Sequence, residues 1–335
     1  MSTPGRPAGS RPLTLFALGW EGPFGTRVAA SLDMALAPHE EREFEWGQHK
    51  MRPLLDVRGH DVHVVASLHG DDHRSVNDRL CRLLFFLATL RDADAARVTA
   101  IVPFLCYARK DRRTQTWDPV TTRYVAQLFE AVGVDRVATI EVHNVAAFEN
   151  AFRCPTTHID PAPRMCDVLA QEVGTGDLVV VSPDTGGVKR AARYRDALAR
   201  RLGRPVASAF VEKYRSLDVV SGGVVVGPVA GRTVLLVDDL IVGGTTLARA
   251  ATACRDAGAV RVIACAAHGA FVAQASSVLE AAPIERVYVL DHIPPVALTP
   301  TFVDTRLHLI DCPALIAATI RDLSDGDVGS APPSD

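Results

Sequence analysis

RTVLLVDDLIVGGTTLARAATACRDAG, residues 232–258, runs from an apolar strand through a glycine-rich turn into a helical pattern. Val234–Val237 is continuously apolar, as a strand covered on both faces of a parallel sheet must be. Two adjacent carboxylates, Asp238 and Asp239, follow, and then Gly243-Gly244-Thr245-Thr246. Such a turn presents backbone N–H groups and hydroxyls at a helix N-terminus, where an anion such as phosphate is stabilised. No Lys follows the glycines, so this is not a lysine-bearing nucleotide loop. The acid pair can hold a diol a few atoms from that phosphate, which together describes a site for a sugar 5-phosphate. The competing reading is a plain helix start capped by Thr245 or Thr246. Capping gives no reason for two acids at the end of a buried strand.

The same strand-then-helix unit recurs along the chain. DVHVVAS (61–67), RVTAIVPF (97–104) and RVATIEV (136–142) lie in the first half; DLVVVSP (177–183), RVIACAAHG (261–269) and RVYVLD (286–291) lie in the second. Amphipathic stretches at 77–91, 121–132 and 188–202 separate them. This alternation predicts an α/β protein with mostly parallel sheets flanked by helices. AGAVRVIACAAHGAF (257–271) echoes DADAARVTAIVPFL (92–105) and VGVDRVATIEVHN (132–144), so two similar halves are expected. We place them at 13–155 and 156–302, joined around CPTTHIDPAPR (154–164). Segment 303–323 is expected to return to the first half and to end in a helix over 313–323; the polar ends, 1–12 and 324–335, read as disordered tails.

Composition narrows the function classes. A chain of 335 residues exceeds what one core usually needs, and 48% hydrophobic with 22% charged residues is ordinary for a globular protein. A net charge of −3 gives no electrostatic reason for a nucleic-acid or membrane partner, and no apolar run reaches the roughly 18 residues of a membrane span. The apolar run LTLFALGW (13–20) lacks a cleavage site after it, so it reads as a first strand. Seven singly scattered cysteines read as free thiols in a reducing compartment, and the cytoplasm is the expected location.

Several further motifs sit where ligands bind in open α/β sheets. Tyr107-Ala-Arg109-Lys110-Asp111-Arg112-Arg113 places four cations after the strand RVTAIVPF; His143 follows RVATIEV; Asp184-Thr-Gly186-Gly187 follows DLVVVS. Taken alone, the basic loop could be a solvated surface and His143 an ordinary exposed residue. Taken together, the motifs resemble the ribose-phosphate pyrophosphokinases. The 232–247 stretch is similar to the ribose 5-phosphate loop that family shares with type I phosphoribosyltransferases. PFLCYARKDRR (103–113) resembles its PYxxYARQDR element, VVVSPDTGGVKRA (179–191) its VVSPDxGGVxRA, and AAHGAF (266–271) its ATHGxF. The match is collinear from about residue 14 to residue 323.

The resemblance implies two tandem phosphoribosyltransferase-like (type I) domains. It also implies transfer of the β,γ-pyrophosphoryl group of Mg-ATP to the C1 hydroxyl of ribose 5-phosphate. Asp184, Asp238, Asp239, Gly243, Gly244, Thr245 and Thr246 would then hold ribose 5-phosphate. Phe44, Trp46, Gln48, Arg109, Lys110 and His143 would hold ATP, with His143 and Asp184 on Mg²⁺. Lys213 and Arg215, in VEKYRS, match a Lys-x-Arg on a mobile loop that closes over the reacting phosphates and would be catalytic. A dimer-based homo-oligomer such as a hexamer is the working form the resemblance implies.

Two departures stand out. The family's loop reads roughly DDMIDTGGT, whereas here the third acid is Val242 and the next residue Gly243. FEWGQHK (44–50) replaces Phe-x-Asp-Gly-Glu, whose Phe and acids reach adenosine from a neighbouring subunit; the acids have become Trp46 and Gln48. These departures leave two alternatives open: a paralogue acting on another ribose 5-phosphate derivative, or a non-catalytic regulatory subunit.

Overall fold

The structure, a computed structural model, describes residues 11–216 and 219–325, and for 213–216 and 219–222 the backbone alone. It divides into two compact units, one holding the described residues up to Ile159 and from Pro313, the other Asp160–Cys312.

Unit 1 begins β1 (Leu13–Ala17), α1 (Gly22–Ser31), β2 (His39–Glu43), β3 (His49–Pro53), β4 (Asp61–Val65) and α2 (Val76–Asp92). It continues β5 (Arg97–Ile101), α3 (Thr121–Ala131), β6 (Arg136–Ile140), α4 (Val145–Ala151) and β7 (Thr156–Ile159). Among the described residues, β1-β4-β5-β6-β7 form one sheet in that order, with every pairing parallel. Apolar residues of α2 and α3, among them Leu83, Phe86, Leu87 and Phe129, bury against Val62, Val64, Val98 and Val137 of the strands. The β2–β3 hairpin stands apart from this sheet. Its charged sequences HEERE and HKMRP form strands through cross-strand pairs such as Glu40 with Arg52.

Unit 2 follows as α5 (Ala162–Glu172), β8 (Leu178–Ser182), α6 (Val188–Leu202), β9 (Ala207–Ser216), β10 (Val219–Val226), β11 (Thr233–Ile241) and α7 (Thr245–Asp256). Then come β12 (Arg261–Gly269), α8 (Ala275–Ala281), β13 (Val287–Leu290), α9 (Pro300–Thr305) and β14 (Leu307–Ile310). Its sheet runs β10-β9-β8-β11-β12-β13-β14, parallel except where β10 folds back on β9. β11 is therefore central, and its LLV run is fully buried.

The halves divide later than the sequence suggested. Thr156–Ile159 pairs with β6 and so completes the sheet of unit 1 instead of opening the second half. Val303–Cys312 stays with unit 2, because β14 pairs with β13 along its whole length. Only α10 (Pro313–Asp325) returns to unit 1. It buries Ile316, Ala317 and Ile320 there, and polar contacts add to them: Ser324 Oγ donates to Asp61 Oδ2 at 2.9 Å, and Arg97 donates to the Leu323 carbonyl at 2.9 Å. Burial alone would raise the Asp61 carboxyl, but hydrogen bonds from His63 and Arg97 hold it well below the usual range.

Glu21, buried at the start of α1, accepts from the Ser67 N–H at 2.7 Å. Burial pushes its carboxyl up to about 7, against the pull of that hydrogen bond and of Arg79. Its folded pKa lies above the unfolded one, so the folded state binds the extra proton between those values. Stability therefore falls as pH rises from about 4.5 to about 7. Glu21→Gln should abolish that slope, giving a higher Tm than wild type at pH 8 and a similar one near pH 5. Thermal melts at both pH values test it; equal melting points at pH 8 would count against it.

Candidate active site

In unit 2 the site grows from β11. The strand runs through to Ile241, so Asp238 and Asp239 lie within its last turns of ladder, with Asp238 opposite Ala266 and Leu240 opposite His268 of β12. Asp239 is buried and Asp238 nearly so. Burial, and then the neighbouring Asp239, push the Asp238 carboxyl up to about 7. The turn after the strand depends on Gly244, at φ +77°. A Cβ there would sit 2.8 Å from the Leu279 side chain. Gly244 occupies the N-cap of the twelve-residue helix α7, and no side chain caps that end. Its first N–H groups thus remain for an anion, with the Thr245 and Thr246 hydroxyls beside them. Capping by Thr245 or Thr246, the competing reading of the sequence, does not occur. Val242, in place of a third acid, is more than a third exposed beside this turn.

A residue the sequence reading passed over completes this half. Arg190, buried in the first turn of α6, places Nη1 3.6 Å from Asp238 Oδ1 and 3.6 Å from Asp239 Oδ1. The preceding loop makes room for it: a Cβ on Gly187 would lie 2.6 Å from Ser182 Oγ and 3.4 Å from Arg190 Nη1. Asp184 folds back over the same loop, its Oδ1 accepting from the Gly186 and Gly187 N–H groups at 3.0 and 3.2 Å. Arg190 lies inside VVVSPDTGGVKRA, but no spacing in that motif shows that its guanidinium reaches β11.

Lys213 and Arg215 were expected on a loop. Their backbone instead continues β9, Lys213 opposite Gly223 and Arg215 opposite Val220, because the valine-rich β10 offers a partner ladder. Their side chains lie outside the described residues.

In unit 1 the basic segment leaves the carboxyl end of β5 and is tied down on both flanks. Tyr107, at φ +60°, donates its hydroxyl to Asn77 Oδ1 at 2.5 Å. Asp111 Oδ2 accepts from Asn144 Nδ2 at 2.9 Å, and Asn144 Oδ1 in turn caps α4 through the Ala147 N–H. Asp118 gathers Lys110 at 2.6 Å and the Thr114 and Gln115 amides at 3.0 and 3.1 Å. Lys110 foremost, and then Thr114, hold the Asp118 carboxyl below the usual range. Lys110 is thus engaged in shaping the loop, while Arg109 and His143 are exposed at the carboxyl ends of β5 and β6. Asn77 does not cap α2; Ser75 does, in a reciprocal pair with Asp78.

Phe44, Trp46 and Gln48 sit at the tip of the β2–β3 hairpin. Trp46 is fully exposed at φ +63°, and Phe44 lies beneath the Arg42 guanidinium at 5.0 Å. The end of the hairpin next to this tip is fixed to α2 by Arg82 with Glu43 at 2.7 Å and by stacking of His49 on Phe85.

The chain is similar to known proteins along most of its length. Residues 13–133 match the family described as the N-terminal domain of ribose phosphate pyrophosphokinase, and residues 217–331 the phosphoribosyl synthetase-associated domain. Ribose-phosphate pyrophosphokinase 1 of Streptococcus pyogenes is 33% identical over 285 residues, 84% of this chain and 86% of that protein. Its namesake in Streptococcus pneumoniae is 33% identical over 285 residues, 84% of this chain and 85% of that protein. Among solved structures, phosphoribosylpyrophosphate synthetase from Mycobacterium smegmatis matches with a TM-score of 0.84 at 32% identity, covering 94% of this chain and 100% of that one.

Proposed function

This chain belongs to the ribose-phosphate pyrophosphokinase family, and from that premise we infer that it moves the β,γ-pyrophosphoryl group of ATP to the C1 hydroxyl of ribose 5-phosphate. The observation that carries this reading is the juxtaposition on β11 of a buried acid pair and an uncapped glycine turn. A stability-driven fold has no use for two adjacent buried carboxylates, whereas a pentose phosphate needs acceptors for its diol and donors for its phosphate. Asp238 and Asp239 hold the diol; Gly243, Gly244, Thr245 and Thr246 cradle the 5-phosphate. Arg109 and His143 position the nucleotide, and Lys213 with Arg215 stabilise charge on the transferring group. Phe44 and Trp46 offer a stacking face for a purine.

Magnesium fits the donor set, since Asp184 supplies a hard carboxylate oxygen with lone pairs to spare while it caps its own turn. Among the described residues no three His, Cys, Asp or Glu converge on a metal, which suits an ion that takes most of its ligands from phosphates and water. Held by Asp184 with phosphate oxygens and water, it would neutralise phosphate charge. Among the described residues no helix is long and apolar enough to cross a membrane. All seven cysteines are free thiols, which fits the cytoplasm. A homo-oligomer is the assembly we expect.

Incubation of the purified protein with Mg-ATP and ribose 5-phosphate should give equimolar AMP and phosphoribosyl pyrophosphate without ADP, read by mass spectrometry. ADP as the product, or no reaction, would refute the assignment. The hairpin tip adds an expectation specific to this chain. With Trp46 and Gln48 replacing two carboxylates, charged acceptors for adenosine are lost and a broad aromatic face is gained. Discrimination between ATP and GTP should therefore be weaker than in a carboxylate-bearing relative, and Trp46→Asp with Gln48→Glu should restore it. kcat/KM for both nucleotides, with oligomer size measured alongside, decides; an ATP preference equal to the relative's would contradict it.

A further inference from the structure

Among the described residues, Arg190 is the cation paired with Asp238 and Asp239, and its placement is not what packing alone would select. The side chain comes from α6, not from the phosphate turn, and reaches β11 with Nη1 equidistant, at 3.6 Å, from one oxygen of each aspartate. It is 6% exposed, and Asp239 3%. Burying an arginine beside two carboxylates costs desolvation of all three charges, and substrate-free packing would be served better by apolar residues. Two features of the preceding loop support the arrangement: Gly187 leaves clearance for Nη1, and Asp184 caps the loop through the Gly187 N–H.

We propose that Arg190 is a positioning residue of the sugar site, bridging Asp238 and Asp239 so that both remain aligned acceptors for a ribose diol. This rests on the pyrophosphokinase reading above. Without the bridge, two adjacent carboxylates in a buried site repel, and the pair relieves the repulsion by taking up a proton or by turning apart. A protonated member donates where the sugar hydroxyl needs an acceptor. Among the described residues, the groups acting on Asp238 include Asp239 on its own strand, Arg190 from α6 and the neutral thiol of Cys265 on β12. Arg190 is thus the one cation acting on the pair from a neighbouring element among these groups. Burial and Asp239 already push the Asp238 carboxyl up to about 7 with the arginine present, so its removal moves the titration further up.

Arg190→Met keeps most of the stem and removes the charge; Arg190→Lys returns a point charge that cannot span both oxygens. For Arg190→Met the KM for ribose 5-phosphate should rise about tenfold or more at pH 7.5, with the KM for ATP little changed. The acid limb of kcat/KM for ribose 5-phosphate should move up by about one pH unit or more, so that raising the pH recovers part of the loss. Arg190→Lys should restore the limb to near its wild-type position while KM recovers only in part. In an Asp238→Asn background, Arg190→Met should no longer move the limb. A merely structural arginine would lower thermal stability and kcat without shifting the limb, and that result overturns the proposal. So does an Arg190→Met protein with an unchanged limb and KM. Should Arg190→Met not fold, the Lys variant alone decides, because an unaltered ribose 5-phosphate KM in it refutes the two-oxygen bridge. Calorimetric binding of ribose 5-phosphate across the same pH range reads the same shift without turnover. Failure of the pyrophosphokinase reading would therefore show as absent product with the binding shift intact.

Discussion

Replacing Lys213 or Arg215 by alanine is expected to lower kcat by on the order of a hundredfold or more, with ribose 5-phosphate binding little changed. The physical reason lies in the reaction. Transfer at phosphorus asks the protein for positioning and for stabilisation of charge on equatorial oxygens, and little else. Cations that meet those oxygens only as the group transfers lower the barrier without tightening the ground state, so their loss appears in kcat. Both residues lie in the second half of β9, whose backbone ladder with β10 extends to Ser216 opposite Val219. The shift in register between Val220 and Gly223 marks an irregularity in that ladder, opposite the residues concerned. Single-turnover kinetics with each variant, beside calorimetric binding of ribose 5-phosphate, separate the outcomes. Near-normal kcat in both would make them ordinary charges at a strand end, and a loss confined to binding would place them on the sugar.

The strands that were legible are those whose environment leaves no choice. RVTAIVPF, DLVVVSP and RTVLLVDD lie in sheets covered on both sides, so their central residues are nearly all apolar and the run announces itself. Thr156–Ile159 and Leu307–Ile310 are edge strands of four residues with mixed sequences, TTHI and LHLI, and a pairing partner rather than a pattern makes them strands. The charged β2–β3 hairpin was equally silent, because its register is written in cross-strand charge pairs. For the site, motif order placed the glycine turn and the basic loop at strand ends. It could not show that Lys110 turns toward Asp118, or that Arg190 turns toward Asp238 and Asp239. Those are facts of tertiary approach: a guanidinium on one helix meets a strand nearly fifty residues onward, and no local spacing encodes the meeting.

Asp238→Asn and Asp239→Asn should each raise the KM for ribose 5-phosphate by roughly tenfold to a hundredfold, the worth of a hydrogen bond to a charged acceptor. The KM for ATP should be nearly unchanged. The pH dependence follows from the same carboxyl. The Asp238 folded pKa, about 7, lies above the ordinary aspartate value of 3.8, so the charged acceptor form is present above about pH 7 and is lost as pH falls through it. Affinity for ribose 5-phosphate should therefore fall on acidification in that window. The sugar's own phosphate loses its second charge near pH 6, so wild type should show two overlapping limbs. Asp238→Asn should remove the upper one and leave the lower. Stability should move the other way. Because the folded protein binds the Asp238 proton more tightly than the unfolded chain, stability declines as pH rises from about 3.8 to about 7. Removing this buried charge should therefore leave Tm at pH 8 equal to or above that of wild type. A variant that binds its sugar worse yet melts no earlier would show that the pair is kept for the ligand and not for the fold. Loss of ATP affinity alone would mean that the two substrates have been assigned to the wrong halves. A fall in Tm at pH 8 would mean that the acid pair and Arg190 hold α6 to β11 as structure.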